Sequence, residues 1–493
     1  MALSVSLVRR TLVGVLWSGA GQLGSNVARF ATIALLGLWL PPPVFGLFAL
    51  AVLVVGSAQK VSELGLLAAV VQKPEADEPT LSTAFWMNLA MSVLLGLVVF
   101  SASGPVAGLF GDQRLEPIVE ALAWVFPLDA LAVVPRAMLT RDLRFRDLSV
   151  RLLLGELAFG AVAIGATLAG REIWGLVAAL ILQRLVLTGS LWWLVPWRPH
   201  WVFDRTSAAK LLLFGGPFLA SALVLQLAGF LDHAIVGVWL GTAGLGYYHF
   251  AAQTSIVPLQ RLVGLVARVV FPAMSRVQAD PTRLARAFQA GTQHLLAAIL
   301  PAAMLAIFVG PWFLRALYGQ KWEASTEPLR ILSVGGAFFA FDLAQAYFLA
   351  IGRPGVRLGL HLLRLAGFLA GLAVFARVWG VTASSVAAAV SLGIVVHALV
   401  GWVLAARRLG IPVGSLGAVA APAIRGCAGA LVPVVAYELS GSPGSPWVAT
   451  LGLPIAMAVG YLAATTGEYR ALAGRVAGRV ARGVSVHSGR RSG

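Results

Sequence analysis

Polar side chains recur at helical spacing within the first long apolar stretch of the chain. Gln22, Asn26 and Arg29 are four and three residues apart, which places them on one face of a helix. A guanidinium group within an apolar helix is costly unless it faces water or the interior of a bundle. We therefore predict that these three side chains line an internal cavity. The alternative is that Arg29 reaches along the helix to the lipid headgroups.

Further cations interrupt apolar stretches in both halves of the chain: Lys60, Arg184, Arg261, Arg268 and Arg364. Arg357 and His361 precede Arg364 on the same helical face. Lys60 lies three residues before Glu63, a spacing that favours a structural ion pair, and Arg268 is close enough to its helix end to reach the headgroups. A guanidinium group can donate two parallel hydrogen bonds to a phosphate. Inward-facing cations thus predict an anionic substrate that carries a phosphate or pyrophosphate.

Acidic side chains are fewer within the apolar stretches. Asp232 and Asp342 lie in two of them, and Glu120 and Asp129 share a third. A carboxylate in such a place binds a coupling proton or cation, or it neutralises an inward-facing arginine, and the sequence leaves both interpretations open. His233 follows Asp232 directly, and because successive residues of a helix point to different faces, these two residues need not form a relay.

The segments that carry these residues are apolar enough to be membrane spans. Hydrophobic residues make up 59% of the 493 residues and charged residues only 12%, with a mean hydropathy of +0.86. A soluble domain has about 45–50% apolar and about 25% charged residues. The net charge of +17 also occurs in nucleic-acid-binding proteins, but basic residues accumulate in the cytoplasmic loops of membrane proteins as well. We therefore predict a membrane protein without a nucleic-acid partner.

Windows of about 20 apolar residues, the length that crosses a bilayer, predict an all-α polytopic membrane protein with about 14 transmembrane helices. The expected domains are an N-terminal six-helix lobe over 1–196, a cytoplasmic linker over 197–210, a C-terminal six-helix lobe over 211–405, two additional transmembrane helices over 413–466 and a basic cytoplasmic tail over 467–493. The tail either lies on anionic lipid as a short helix or is solvated.

Basic residues are concentrated in one set of the predicted loops, among them Arg9, Arg144, Arg286 and Arg408, and the opposite loops hold few. Because cytoplasmic loops of membrane proteins are enriched in Lys and Arg, both termini are expected in the cytoplasm.

An internal repeat relates the two halves of the chain. Val27–Ala51 aligns without a gap on Leu227–Ala251, and the identical pairs include Trp39/Trp239, Leu40/Leu240 and Gly46/Gly246. In the second copy the apolar helix is expected to end at Leu240, in a short Gly-rich turn. The two copies insert with the same orientation if the span count is correct. This predicts a parallel repeat about an axis along the membrane normal, with the substrate between the halves.

The sequence carries no recognisable catalytic or metal-binding motif. It lacks HExxH, CxxC, nucleophile-elbow and P-loop patterns, and Cys427 is the single cysteine. We therefore expect a protein that is not an enzyme, with no catalytic residue, no cofactor and no metal.

Three stretches resemble the oligosaccharide flippases of the MOP superfamily (multidrug/oligosaccharidyl-lipid/polysaccharide exporters). They are Trp17-Ser18-Gly19, the D-x-x-I-V-G-x-x-L-G-x-x-x-L-G-Y-Y run from Asp232 to Tyr248, and FPAMSRVQAD at 271–280. Leu317–Leu332 is also similar to a loop of that family. The resemblance covers roughly residues 10–410 and is to the polysaccharide biosynthesis branch, which exports O-antigen and exopolysaccharide units.

The resemblance implies two six-helix lobes that form a V and open alternately to each side. It implies a flippase that moves undecaprenyl-pyrophosphate-linked oligosaccharide from the inner to the outer leaflet of the bacterial cytoplasmic (inner) membrane, for lipopolysaccharide or exopolysaccharide synthesis. Related peptidoglycan-precursor flippases have essential basic residues in spans 1, 2 and 8, and Arg29, Lys60 and Arg261 occupy comparable spans here. The expected partners are the lipid-linked oligosaccharide, membrane lipid, a polysaccharide polymerase, glycosyltransferases and a coupling proton or cation.

Other functions fit the sequence less well. A MATE-like multidrug or cation antiporter would need an acidic excess in its cavity, whereas the predicted interior is basic. A membrane polysaccharide ligase or polymerase would need a sizeable external loop for its catalytic residues, and the predicted loops are short. A scaffold without transport activity is a further alternative.

Overall fold

The computed structural model describes residues 2–62, 77–142, 144–439 and 449–465, and within these ranges the regular structure is helical, without a strand. In chain order the helices are α1 (Ala2–Trp39), α2 (Pro42–Ser62), α3 (Glu78–Ser101), α4 (Ser103–Phe110), α5 (Leu115–Ala123), α6 (Val125–Arg141), α7 (Phe145–Leu168), α8 (Glu172–Leu194), α9 (Arg205–Thr254), α10 (Ile256–Arg276), α11 (Pro281–Met304), α12 (Gly310–Tyr318), α13 (Thr326–Ala337), α14 (Ala344–Ala350), α15 (Pro354–Trp379), α16 (Ala383–Arg408), α17 (Leu416–Leu439) and α18 (Ala449–Thr465). The predicted all-α class is confirmed.

Ten stretches of the described chain are long and apolar enough to cross a bilayer, and α18 adds a shorter apolar helix. The protein is therefore a multi-pass membrane protein. Two of the stretches, Gly229–Ala267 and Pro281–Ala350, have 39 and 70 residues. A single crossing needs about 20 residues, so these two stretches hold more than one crossing each, and the total of about 14 crossings stays a prediction.

The chain divides into two compact units. The first comprises Met1–Phe250 with Ala376–Val386, and the second comprises Ala251–Phe375 with Ala387–Gly493. Helices α1 to α8 and most of α9 belong to the first unit, whereas α10 to α14, α17 and α18 belong to the second. The two six-helix lobes expected from the sequence, 1–196 and 211–405, follow the internal repeat and not these units, and they stay a prediction.

Small residues make the closest helix contacts of the first unit. Helix α1 packs along α7, and the backbone at Gly21 comes so close that an added Cβ would lie 2.2 Å from the Cβ of Ser149. Farther along the same pair, an added Cβ at Gly160 would lie 2.6 Å from Oγ1 of Thr32. Glycine at these positions lets the helix backbones approach closely, which favours packing in a bilayer. Helix α7 packs in turn along α8.

Both copies of the sequence repeat are interrupted at equivalent positions. The first interruption follows Leu40, between α1 and α2, and the second is at Gly241 within α9, where φ is 67° and ψ is −172°. Tyr248 contacts Asp232 across this second point, although the same interval of straight helix would separate them by about 24 Å. The chain therefore reverses at Gly241, as predicted from the Gly-rich turn. Glycine adopts this positive φ without steric cost.

The two turns meet through a pair of equivalent glycines, which we call the glycine crossing. A Cβ added at Gly46 would lie 1.7 Å from the carbonyl oxygen of Thr242, and one added at Gly246 would lie 1.9 Å from the carbonyl oxygen of Pro42. In the repeat, Gly46 corresponds to Gly246 and Pro42 to Thr242, so the duplication relates the two contacts to each other. All four residues belong to the first unit.

In the second unit the C-terminal helices pack on α11. Helix α17 runs along α11, and the hydroxyl of Tyr461 in α18 donates to the carbonyl oxygen of Ala297 at 3.3 Å. Helices α17 and α18 approach each other at Gly429 and Gly460, where an added Cβ would lie 2.4 and 2.3 Å from the carbonyl oxygen of the opposite glycine. The last two helices are thus an integral part of this unit.

Candidate functional site

A cavity of about 420 Å³ lies within the first unit, among α2, α3, α6, α7 and α8. Its polar lining consists of Gln59, Asn88, Asp129, Arg136, Thr140, Arg151 and Arg184. We call it the cationic cavity. It contains one of the predicted cations, Arg184, and one of the acids noted in the sequence, Asp129.

Three arginines reach the cationic cavity from three successive helices. Arg136 lies in the last turns of α6, Arg151 near the start of α7 and Arg184 in the middle of α8. Arg151 is only 6% exposed, and its Nε donates to the carbonyl oxygen of Leu187 at 2.7 Å. It also interacts electrostatically with Arg136, Arg184 and Asp129. Three guanidinium groups and one carboxylate leave the lining with a formal net charge of +2.

Asp129 is the acid of the cationic cavity. Nη1 of Arg184 lies 3.6 Å from its Oδ2, and the side-chain amide of Gln59 donates to the same oxygen. Asp129 therefore partly neutralises an inward-facing arginine, which is one of the two roles that the sequence left open for the acids.

The polar stripe predicted on α1 is present, with a partner that the sequence did not reveal. Nε2 of Gln22 donates to Oδ1 of Asn26 at 3.2 Å. Nε and Nη2 of Arg29 donate to the carboxylate of Glu156 in α7 at 3.1 and 2.8 Å. This bidentate ion pair joins α1 to α7 and offsets the charge of Arg29. Arg29 is not among the lining residues of the cationic cavity, so its predicted role as a substrate ligand stays a proposal.

Asp232 and His233 contact each other, although successive residues of a helix point to different faces. The carboxylate folds back over the backbone N–H of His233 and lies 2.9 Å from the ring Nδ1, because a short side chain can return to the next residue even when the Cβ directions diverge. The hydroxyl of Tyr248 donates to the other carboxylate oxygen at 2.9 Å. Nδ1 of His249 lies 3.3 Å from Nε2 of His233. Four polar side chains thus form one chain across the turn at Gly241.

A second carboxylate–histidine pair lies in the second unit. Oδ1 of Asp342 is 3.0 Å from Nε2 of His397, and the amide nitrogen of Gln345 is 2.7 Å from the same ring nitrogen. Nδ1 of His397 is 2.8 Å from the carbonyl oxygen of Leu360 and therefore carries a hydrogen. Nε2 then either accepts from Gln345 in a neutral ring or donates to Asp342 in a protonated one. The hydrogen bond between His397 and Asp342 therefore forms only when the ring carries a proton on both nitrogens.

The other predicted cations are distributed over both units. Cζ of Arg364 lies 5.9 Å from the ring centroid of Phe339, and Arg261 lies in α10. The side chains of Lys60 and Arg268 lie outside the part of the structure that is described. Arg184 contacts Asp129, and Asp342 contacts His397. The acid that contacts Arg29 is Glu156, which is none of the four acids noted in the sequence.

Sequence reasoning missed Arg136, Arg151 and Glu156. Arg136 and Arg151 both lie five residues from the basic loop between Arg141 and Arg146, where basic residues are typical of the membrane border. Only the tertiary packing turns them toward one cavity. Glu156 itself was predictable as the partner of a cation, because it is an acid inside an apolar segment, and that cation is Arg29.

Comparison with known proteins adds the family to this geometry. Residues 37–327 match the family described as polysaccharide biosynthesis protein. The chain is 28% identical over 405 residues to the teichuronic acid biosynthesis protein TuaB of Bacillus subtilis (strain 168), an alignment that covers 81% of this chain and 83% of TuaB.

Two solved structures share the fold. The lipid II flippase MurJ in an inward closed conformation superimposes with a TM-score of 0.75 at 12% identity, over 93% of this chain and 99% of MurJ. An inward-facing multidrug resistance transporter of the MATE family, within the MOP superfamily, superimposes with a TM-score of 0.64 at 17% identity, over 78% of this chain and 94% of the transporter. The chain therefore has a fold like that of these two transporters. Because the family match spans more than half of the sequence, the chain belongs to the polysaccharide biosynthesis protein family.

Proposed function

We propose that the protein is a flippase that moves undecaprenyl-pyrophosphate-linked oligosaccharide units from the inner to the outer leaflet of the bacterial cytoplasmic membrane, for the synthesis of a surface polysaccharide. The observation that carries this proposal is the match to the polysaccharide biosynthesis family over residues 37–327, in a chain whose fold is shared with a lipid II flippase. The family suggests that the cargo is a polysaccharide precursor, and the shared fold suggests that the protein moves this cargo across the membrane.

The charges within the first unit suit such a cargo. A pyrophosphate is strongly anionic, and arginine binds it through planar, paired donors. The cationic cavity, with its net charge of +2, offers this chemistry. The proposed ligands of the headgroup and glycan are the cations and polar residues singled out in the sequence: Arg29, Asn26, Gln22, Lys60, Arg184, Arg261, Arg268 and Arg364. The polyprenyl tail stays in the lipid while the headgroup crosses by alternating access.

Transport is proposed to draw on an ion gradient. Asp232 and Asp342 are the candidate coupling residues, and each contacts a histidine ring at hydrogen-bond distance. Carboxylates held inside membrane helices commonly serve in proton or cation relays. We also propose that both termini lie in the cytoplasm. Glycosyltransferases and a polysaccharide polymerase are the proposed partners of this transport step.

The flippase can be tested with the purified protein in lipid vesicles. A fluorescent undecaprenyl-pyrophosphate oligosaccharide is placed in both leaflets, and an external glycosidase reports the fraction of probe that it can reach. We expect the probe of the inner leaflet to become accessible in vesicles that contain the protein and to stay protected in empty vesicles. Equal protection in both would overturn the proposal. Proton-driven uptake of an organic cation such as ethidium, without movement of the lipid probe, would instead support the MATE-like alternative.

A further inference from the structure

We propose that the segment between α8 and α9 is an anchor in the membrane interface, whose exposed aromatic rings insert among the headgroups of phospholipids. We call residues 195–204 the aromatic strap. The sequence predicts only a cytoplasmic linker for residues 197–210, which would lie in water. The anchoring role needs no more than a protein that spans a membrane, and it is independent of the proposed function.

The aromatic strap and the helix end before it expose large apolar side chains. Trp193, the last residue but one of α8, is 86% exposed, and Trp201 is 89% exposed. Val202 and Phe203 follow Trp201 and are exposed as well. Tryptophan is enriched where membrane proteins meet the headgroups, because its ring is apolar and its N–H can donate a hydrogen bond. Lipid at the membrane border therefore suits these rings better than water.

The exposed face of α8 indicates the depth of the strap. Within α8 after its first two residues, the exposed positions recur at helical spacing and form one stripe: Trp174, Ala178, Leu182, Leu185, Gly189 and Trp193. The tryptophans at its two ends are 19 residues apart, which is about 28 Å along a helix and close to the roughly 30 Å of a bilayer core. This stripe is the expected lipid-facing side of a single crossing, and Trp193 lies at one border of it.

The strap begins directly after α8, on the side of the protein that carries the basic loop between α6 and α7. Nη1 of Arg144, a residue of that loop, donates to the carbonyl oxygen of Leu194 at the end of α8 at 3.3 Å. The exposed rings of the strap are therefore placed at the headgroup level on the basic side. Lipid is favoured over a protein partner because these rings continue the lipid-facing stripe of α8.

Hydrogen bonds hold the strap against the N-terminal turns of α3. The backbone N–H of His200 donates to Oγ of Ser82 at 3.0 Å, and that of Asp204 donates to Oγ1 of Thr83 at 2.9 Å. The indole N–H of Trp86 donates to the carbonyl oxygen of His200 at 2.8 Å. These bonds occupy backbone groups that an irregular segment otherwise offers to water. The strap can therefore lie in the interface, where water is scarcer than in the cytoplasm.

The two tryptophans of the strap face different surroundings. Trp197 packs on Phe85 with ring centroids 5.9 Å apart, and its indole N–H donates to the carboxylate of Glu78 at 2.9 Å. Trp201 stacks on Trp86 with centroids 4.2 Å apart and planes at 20°, which leaves its other face open. Trp197 thus fixes the strap to α3, and Trp201 is already held in place for lipid. Ordering the ring in advance lowers the entropy cost of its insertion.

The anchor is tested by the depth of a nitroxide label on the full-length protein in phospholipid nanodiscs. In a Cys427→Ser background, Val202→Cys carries the label in the strap. Asp142→Cys is the matched control, because Asp142 is also exposed and lies in the basic loop on the same side. We expect the label in the strap to collide severalfold more often with oxygen, which concentrates in lipid, than with a water-soluble nickel chelate. The control label should show the reverse ratio.

Two results of this measurement would overturn the anchor. If the label at Val202→Cys gives the same ratio as the control, the strap lies in water. If it collides rarely with both reagents, a protein surface covers the strap instead of lipid.

A second measurement examines Trp201 with the native cysteine in place. Because the chain has 15 tryptophans, the emission of Trp201 is obtained as the difference between the wild type and Trp201→Phe. Phospholipids brominated near the headgroup should remove most of this difference emission. Trp402, which is buried in the second unit, is the control, and the difference between the wild type and Trp402→Phe should persist. Equal quenching of both rings, or of neither, would contradict the anchor.

Discussion

Asp232 and Asp342 each meet a histidine ring, but the two pairs differ in what else contacts the imidazole and the carboxylate. Both oxygens of Asp232 accept hydrogen bonds, from Tyr248 on one side and from His233 on the other, and a neutral His233 ring satisfies this arrangement. The ring of His397 has Nδ1 committed to a backbone carbonyl, and its Nε2 lies between an amide donor and a carboxylate. A proton that binds to Nε2 of His233 changes only the contact of that ring with His249 and leaves the hydrogen bonds of Asp232 as they are. A proton that binds to Nε2 of His397 creates a hydrogen bond to Asp342.

Of the two candidate coupling residues, Asp342 is therefore expected to carry the response to a proton gradient. Asp342→Asn should abolish the acceleration of flipping by an imposed pH gradient and leave downhill flipping intact. Asp232→Asn should keep the acceleration and lower the stability by about 1–3 kcal/mol, because a buried charge-assisted hydrogen bond is lost. The vesicle assay with and without a pH gradient measures the first effect, and thermal unfolding measures the second. A gradient response that survives in Asp342→Asn would exclude this role.

Residue-level pairings were the least predictable part of the molecule. The sequence singles out Arg29, Arg184, Asp232 and Asp342, since an ionisable group in an apolar helix is visible without a structure. It could not supply Glu156 or His397, because these partners are 127 and 55 residues away and belong to other helices. Spacing along one helix identifies a shared face, but not the helix that covers it.

At the level of helices, the turns of the two repeats determine where polar residues meet. The reversal at Gly241 brings Tyr248 and His249 onto Asp232 and His233, and the turn after Leu40 places Pro42–Gly46 against Thr242–Gly246. The position of the second turn was predictable because glycine-rich sequence ends an apolar helix. The glycine crossing was not, since the repeat shows that Gly46 and Gly246 are equivalent but not that they are neighbours.

Adding one methyl group at the glycine crossing is expected to destabilise the protein. In Gly46→Ala or Gly246→Ala the new Cβ would lie within 2 Å of a backbone oxygen, so the two turns must separate. Gly56→Ala, in the same helix as Gly46, has no atom within 4 Å of its new Cβ and should be neutral or stabilising by up to about 1 kcal/mol. Thermal unfolding of the three variants in detergent measures the contrast. Equal unfolding temperatures would mean that the crossing does not hold the turns together.

Composition determined most of what could be predicted about the whole molecule. An apolar fraction of 59% with 12% charged residues leaves few alternatives to a helical membrane bundle, and the family match and the shared fold agree with that class. The cationic cavity was only partly predictable. Arg136 and Arg151 resemble ordinary basic residues of a membrane border, and their inward orientation depends on how α6, α7 and α8 pack.

The orientation of the whole protein in the membrane gives a further prediction. Cys427 is the single cysteine, so a Cys427→Ser background allows single cysteines to be placed at Gln113 and at Asp142, before and after the span Leu115–Arg141. In intact cells, an impermeant maleimide should label Gln113→Cys and should label Asp142→Cys only after the membrane is permeabilised. This result follows from the basic residues around Asp142, which favour the cytoplasmic side. The reverse pattern would place the termini outside.

The glycine crossing also bears on the ancestry of the chain. Gly46 contacts Thr242 while Gly246 contacts Pro42, and each partner is the repeat equivalent of the other. This reciprocity is the mark of a two-fold interface between identical subunits. We infer that a half-length ancestor formed a homodimer with this glycine at its interface, before gene duplication and fusion joined the two copies. A reconstructed half-length ancestor should therefore form a dimer that alanine at this position weakens, and a strictly monomeric reconstruction would contradict that origin.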